Sequence, residues 1–565
     1  MGKVHKIGVE LFAFGANQST VFASLERLFF ESMPNWQEWD PCESDEQASK
    51  FPSLRELSIK KCPQLLGRLP TLLQSLQKLK INECRRLVVS ISSFPSLCEL
   101  SIEVCKELVD EGSSPAEEVT SLKSVSLKNI SKFDISAEKA LLRFANSENF
   151  NLSDCGELES LSQNELSLIG HRSITIADCP QLVSLETEEE RLQLDQVMRL
   201  KGCPGLVCFA ESNFPPALKE LEIFTCENLQ YLVDEKENNN KSMSSNTCVL
   251  EDLAIMDCPS LIWLSSRGDM CNRLQCLMVH CCPNLSSLFL NAKLPVMLKH
   301  LDISGCPVLE CIAQDFHETV DLESIRISNA ENIKSLPRGL DKLSHPQEIE
   351  VDGSPSLVSF EESGLPTTNL RVLKILNCEN FGALLKCINN FTSLRELKVW
   401  ECSAELRFPE EGFPTNLTSL KISNAPRIYT SLVEWGFNRL TSLQTLNIGG
   451  EGCSHVVSFP EEGIGMMLPP SLTSIRIQNF KNLEYMYSKG FQQLTSLQQL
   501  AINDCPKLTS LPEKDMLPWL ERLYIYHRPL LEEGCSRCKG REWSKIAHTP
   551  YVRIQGERVI PRELD

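Results

Sequence analysis

A chain of 565 residues could hold several globular domains, but 42% apolar residues with only 7% aromatics suit stacked aliphatic layers better. A net charge of −19 argues against general affinity for nucleic acid, and no apolar run nears the roughly 18 residues a membrane span needs. Twenty-five cysteines would signal a disulfide framework in a short secreted chain, yet their spacing here points elsewhere.

Residues 1–23 read as the remains of an earlier turn. Within them Ile7–Ala16 resembles a signal-peptide core only faintly, because Glu10 interrupts it. From residue 24 onward a line of nine positions recurs. It is clearest at Leu370–Cys378, L-R-V-L-K-I-L-N-C, with Leu370, Leu373 and Ile375 apolar and Cys378 closing it. The same line stands at Leu250–Cys258, Leu274–Cys282, Leu298–Cys306, Leu394–Cys402 and Leu497–Cys505. A fixed period with this internal pattern marks a leucine-rich repeat, one strand and one return segment per turn. Its last apolar position runs from Phe30 to Ile525 in about 21 turns over residues 24–529, and every interval between Ile255 and Val399 is 24 residues. The fold class this implies is an α/β solenoid: a leucine-rich-repeat horseshoe with a parallel β-sheet on the concave face and mostly irregular or short helical convex segments.

Thirteen cysteines share one register: Cys62, Cys84, Cys105, Cys155, Cys179, Cys203, Cys226, Cys258, Cys282, Cys306, Cys378, Cys402 and Cys505. A thiol there is a small hydrophobe with a weak donor for the turn backbone. Reduced thiols point to a cytoplasmic or nuclear chain. The proline after many of these cysteines, as at Cys505-Pro506, cannot donate to a ladder and ends the strand.

The turns around Leu127, Leu152 and Leu200 fit the line poorly, so the pattern does not fix their packing. A polar insertion at 234–246 reads as a mobile surface loop, and Thr187–Arg191 as a smaller acidic one. The tail 530–565 loses the repeat and reads as the C-terminal cap an open solenoid end requires.

No candidate chemistry stands out. Cys535-x-x-Cys538 with His527 and His548 invites a zinc reading, but the second ligand pair is irregular and a capping segment is favoured. Cysteines at repeat positions give no nucleophile paired with a base. The expectation is a non-enzyme without metal or cofactor.

The concave face is more informative. The outward residue between the two strand apolars is mixed up to Asp302, then reads Arg326, Glu350, Lys374, Lys398, Lys421, Asn447 and Arg476. Five of those seven are basic in an acidic chain, and neighbouring turns bring them within roughly 5 Å, where like charges repel. Glu348 and Glu396 sit close enough to neutralise part of the stripe. The next outward column carries Phe224, Met256, His280, Leu376, Trp400 and Tyr526, with Tyr524 in the first column. Aromatics beside arginine and lysine have the composition of a protein-binding hot spot. The candidate partner-binding residues are therefore Arg326, Lys374, Lys398, Trp400, Lys421, Arg476, Tyr524 and Tyr526.

The spacing L-x-x-L-x-I-x-x-C-P-x-L resembles the repeat region of plant coiled-coil-type nucleotide-binding leucine-rich-repeat disease-resistance proteins. Met1–Phe12, Leu25–Trp39, Phe51–Leu65 and the tail Trp543–Val552 are similar to stretches of that family. No G-x-x-x-x-G-K-[ST] string is present, so the resemblance is to the C-terminal sensor part alone. It implies recognition of a pathogen effector, or of a host protein the effector modifies, and restraint of the receptor's nucleotide-binding module. Alternatives are a leucine-rich-repeat substrate adaptor of a ubiquitin ligase, nucleic-acid binding along the basic stripe, and a truncated fragment without a role of its own.

Overall fold

The computed structural model describes residues 4–8, 22–39, 51–69, 73–91, 94–109, 122–134, 147–156, 158–159, 172–183, 185, 196–210, 214, 217–233, 248–265, 271–316, 321–360, 364–382, 384, 388–402, 405–406, 412–527, 529–535 and 539–560. The loops expected at 234–246 and Thr187–Arg191 lie outside these residues. The chain forms two compact units, Met1–Asn291 and Ala292–Asp565. Each is a stretch of β-solenoid built on a parallel sheet, with few helices.

In the first unit, strands from Arg27–Glu31 to Cys276–His280 pair in parallel, each with the strand of the next turn. The register stacks Phe30 on Ile59, Ile59 on Ile81, and so on to Ile255 on Val279. Leu127, Leu152 and Leu200, whose packing the sequence line left open, are fully buried in this stack. The line is weakened elsewhere, by Ser147 and Asp195 at the first-leucine position and Ile130 at the cysteine position, and the inward pair is kept. In the second unit, strands from His300–Ser304 to Arg522–Tyr526 repeat the arrangement. Beyond them Tyr551–Ile554 adds a further parallel strand, and Glu557–Ile560 folds back antiparallel on it.

The local cause is the alternation within each five-residue strand. At Val372–Leu376 the inward Leu373 and Ile375 are fully buried while Lys374 stands on the other face. Fully burying one such aliphatic contributes about 1.5–3 kcal/mol, and every turn supplies two. Parallel neighbours need a crossover of a dozen or more residues, which a 24-residue period provides.

Most of these strands lead into a residue with positive φ directly before the cysteine position, the turn after Thr445–Gly449 being an exception. Asp178, Asp257, Asn377 and Asp504 have φ between 45° and 54°, as do Lys61 and Glu83 at 54°. This left-handed corner turns the chain off the sheet while its amide still bonds the next turn, as Asn377 N does to Trp400 O at 2.8 Å. Asn, Asp and Gly tolerate the conformation, whereas a β-branched residue such as Val104 (φ 60°) is strained in it.

The thirteen cysteines follow these corners and are all buried. Their thiols donate mostly to the carbonyl two residues back: Cys155 to Ser153 at 3.4 Å, Cys378 to Leu376 at 3.1 Å, Cys402 to Trp400 at 3.4 Å. Ser354 takes the place of a cysteine with the same bond, to Asp352 O at 3.5 Å. Phe480 occupies the equivalent site one turn beyond Gly450, where an added Cβ would stand 2.2 Å from its ring.

Between Ser419–Ile422 and Thr445–Gly449 the return segment holds a ten-residue helix, Pro426–Trp435, with proline in its first turn. Ile428, Tyr429, Leu432 and Val433 make its buried stripe. In the tail, Pro529–Gly534 and Trp543–Ile546 are short helices. Glu542 accepts the Leu511 amide at 2.8 Å, and Lys545 reaches the Leu511 carbonyl at 3.1 Å, so the tail ties itself to the last regular turn.

Candidate protein-binding face

The register of the second unit places Arg326, Glu350, Lys374, Lys398, Lys421, Asn447, Arg476, Ala501 and Tyr524 in one row, each the direct neighbour of the next. With adjacent strands about 4.8 Å apart, this row is a continuous line of side chains on the outward face.

The expected like-charge cost is largely relieved along the first part of the row. Arg326 and Lys374 both donate to Glu348 at 2.9 Å, and Lys374 also reaches Glu350 at 2.9 Å. Lys421 donates to Glu396 at 2.7 Å. Burial raises the Glu348 pKa, but hydrogen bonds from Lys374 and Arg326 outweigh it and hold the carboxyl below its usual range. Burial likewise opposes the Lys374 charge, and the two glutamates overcome it, so its pKa is raised. This part of the face is an ordered, nearly neutral ion-pair network rather than a bare cationic strip.

Lys398 is different. Its ammonium lies 5.7 Å from the centroid of the Trp400 ring, a cation–π contact contributing about 0.5–1 kcal/mol at an exposed site. Trp400 is half-buried. Leu376, its register neighbour and expected to be exposed, is buried, because the next strand carries the large indole at the same position. In the first unit, Phe224, Met256 and His280 stand half-buried on the outward face.

At the far end, Tyr524 and Tyr526 stack at 6.5 Å with ring planes 11° apart. Tyr524 also meets Tyr551 at 5.8 Å, and Arg558 lies 5.3 Å over the Tyr551 ring. Tyr551, Arg553 and Arg558 escaped the sequence reading because the tail has no repeat pattern. Only the pairing of Tyr551–Ile554 with Arg522–Tyr526 brings them to this face. A faint signal existed in Y-V-R-I, which alternates outward and inward residues like the repeats before it.

Of the zinc reading, Cys538 lies outside the described residues, and Cys535 is buried with its thiol pushed up to about 12 by burial. No group of three or more metal-ligating side chains occurs among the described residues. Among these same residues, no helix is long and apolar enough to cross a membrane.

No family model matches the chain. Over 142 residues, 25% of its length, it is 38% identical to the disease resistance protein At3g14460 of Arabidopsis thaliana. Over 63 residues, 11% of its length, it is 48% identical to RPP13-like disease resistance protein 1 of the same plant. These matches span only 10% and 6% of the two relatives. Among solved structures, YopM of Yersinia enterocolitica is 18% identical with a TM-score of 0.39, covering 85% of this chain and 84% of its own. The TLR13–ssRNA13 complex matches at 15% identity and TM-score 0.39 over 89% and 76% of the two chains. The plant hormone receptor RGFR1 in complex with RGF2 matches at 15% and 0.33 over 94% and 87%. With every TM-score below 0.5, the fold assignment rests on the strand register itself. The homologues of this chain are plant disease-resistance proteins, and its leucine-rich-repeat solenoid is consistent with the C-terminal repeat region of such a receptor.

Proposed function

We propose, for a leucine-rich-repeat module whose homologues are plant disease-resistance proteins, that the chain is their recognition part. It binds a pathogen effector or an effector-modified host protein through the outward face of its strands. In the whole receptor it also holds the nucleotide-binding module inactive. The observation that carries this reading is the identity to disease-resistance proteins within a chain whose outward face sets aromatics beside fixed charges. Side chains held in place by ion pairs and ring contacts lose little freedom on binding, which favours specific protein contacts. The role is binding rather than catalysis, acted out in the cytoplasm, with a protein as partner.

A chimera tests it. Replacing the repeat region of a disease-resistance relative with this chain is expected to transfer pathogen-strain specificity and to keep the receptor silent without a pathogen. A version carrying Trp400→Ala and Lys398→Ala is expected to lose the specificity and stay silent. If both chimeras respond alike to every strain, Trp400 and Lys398 are not part of the recognition surface. Recovery of a ubiquitin-ligase scaffold with the full chain would favour the adaptor reading instead.

A further inference from the structure

The two ends of the outward row in the second unit are electrostatically unlike. Arg326, Lys374 and Lys421 each meet a glutamate. On the last four parallel strands, Ser474–Gln478, Gln499–Asn503, Arg522–Tyr526 and Tyr551–Ile554, the outward positions carry three arginines and no carboxylate. Arg476 is exposed and makes no hydrogen bond or ion pair among the described residues. The Nε of Arg522 is buried without an acceptor. Arg553 and Arg558 are direct partners across the terminal antiparallel pair, where like charges side by side are unfavourable. In a chain of net charge −19, these four strands gather three outward arginines with no outward carboxylate among the described residues.

Shape adds to charge. Ala501 lies in the row between Arg476 and Tyr524 and is itself buried, so the arginine and the tyrosine are the surface presented there. The stacked Tyr524 and Tyr526 form a rigid apolar wall, and Tyr551 fixes Tyr524 from the other side. Tyrosine offers large contact area at small entropic cost, and arginine binds carboxylates through paired N–H donors.

We propose that this C-terminal patch, completed by the tail strand Tyr551–Ile554, is the docking site for an acidic segment of the partner protein. Carboxylates of that segment pair with Arg476 and Arg553, and an apolar side chain packs against Tyr524 and Tyr526. The inference rests on the protein-recognition reading above and gives it an address: the unpaired end of the row rather than the neutralised middle. An arriving carboxylate gives exposed Arg476 the partner it lacks among the described residues.

The test uses the full chain and fluorescence anisotropy with a labelled twelve-residue peptide alternating Asp or Glu with Phe or Leu. Its Asn/Gln counterpart is the control. The acidic peptide is expected to bind at least tenfold more tightly than the control and to weaken as salt rises. The pair Arg476→Gln and Arg553→Gln is expected to reduce its affinity about tenfold, and Tyr526→Ala severalfold, while Lys374→Gln changes it less than twofold. Arg476→Gln alone removes no hydrogen bond or ion pair among the described residues, and its urea midpoint is expected to match the parent's, which separates a binding effect from a folding defect. Equal binding of both peptides, or indifference to the arginine substitutions, overturns the proposal. So does a single-stranded oligonucleotide that binds the same arginines more tightly than the peptide. If Lys374→Gln abolishes binding while the arginine variants do not, this address fails and protein recognition stands. A silent, unresponsive chimera would sink the recognition reading itself.

Discussion

Replacing Glu348 by glutamine keeps the shape of the side chain and removes the charge that two cations share. Arg326 and Lys374 approach it at 2.9 Å each. The Glu348 and Lys374 side chains are 22% and 23% exposed, so that pair belongs near the top of the 0.2–1 kcal/mol range for surface ion pairs. Arg326 is 49% exposed, and its share shrinks to a few tenths through solvent screening. Lys374 keeps Glu350 at 2.9 Å, so the net loss is about 1 kcal/mol. Stability in a repeat array is largely a sum of local terms, so the loss stays local. Amide exchange in Ser324–Ser328 and Val372–Leu376 should quicken about fivefold at neutral pH, with Asp252–Met256 unchanged. The pH dependence has a definite sign. The folded-state pKa of Glu348 is depressed below its ordinary 4.5, so its contribution is full above that value and fades as pH falls through the lower folded value. Parent and variant should therefore converge in strong acid. Identical exchange at pH 7, or a gap that persists once the carboxyl is protonated, would refute the reasoning.

Three further substitutions probe the frame. Cys378→Ser should cost less than about 1 kcal/mol, because Ser354 fills an equivalent site, whereas Cys378→Ala should cost about 1–2 kcal/mol for the void and the lost bond, read as urea midpoints. Val104→Asn should raise the thermal midpoint by relieving about 1 kcal/mol of left-handed strain, and a lower midpoint would contradict the corner assignment. Gly450→Ala should destabilise by about 2 kcal/mol against the Phe480 ring, and Phe480→Leu should recover part of that in the double variant.

The strand register was legible because Leu373, Ile375 and their equivalents recur at an almost constant interval, and a residue slip would turn every aliphatic outward. The corners were readable too, in the Asn, Asp or Gly before so many of the cysteines, although that position had been read only as part of the line. The Pro426–Trp435 helix announced itself through a first-turn proline and apolar residues at helical spacing, signals submerged in a sequence read at the period of the turn. The face was only half legible. Ion pairing of Lys374 with two glutamates is a matter of rotamers, and the place of Arg553 depends on a tail whose pairing no repeat foretells.

The row of buried sulfurs decides how the chain meets oxidants. Burial pushes Cys258 and Cys378 up to about 11 and Cys105 and Cys402 up to about 12. At pH 7 roughly one such group in ten thousand, or fewer, is then the reactive anion that peroxide or an alkylating agent attacks. Reagent would consume exposed Cys281 long before it touched those four, whereas Cys62, drawn down to about 7 by its hydrogen bond with the Cys84 thiol, is the point in the row where oxidation would start.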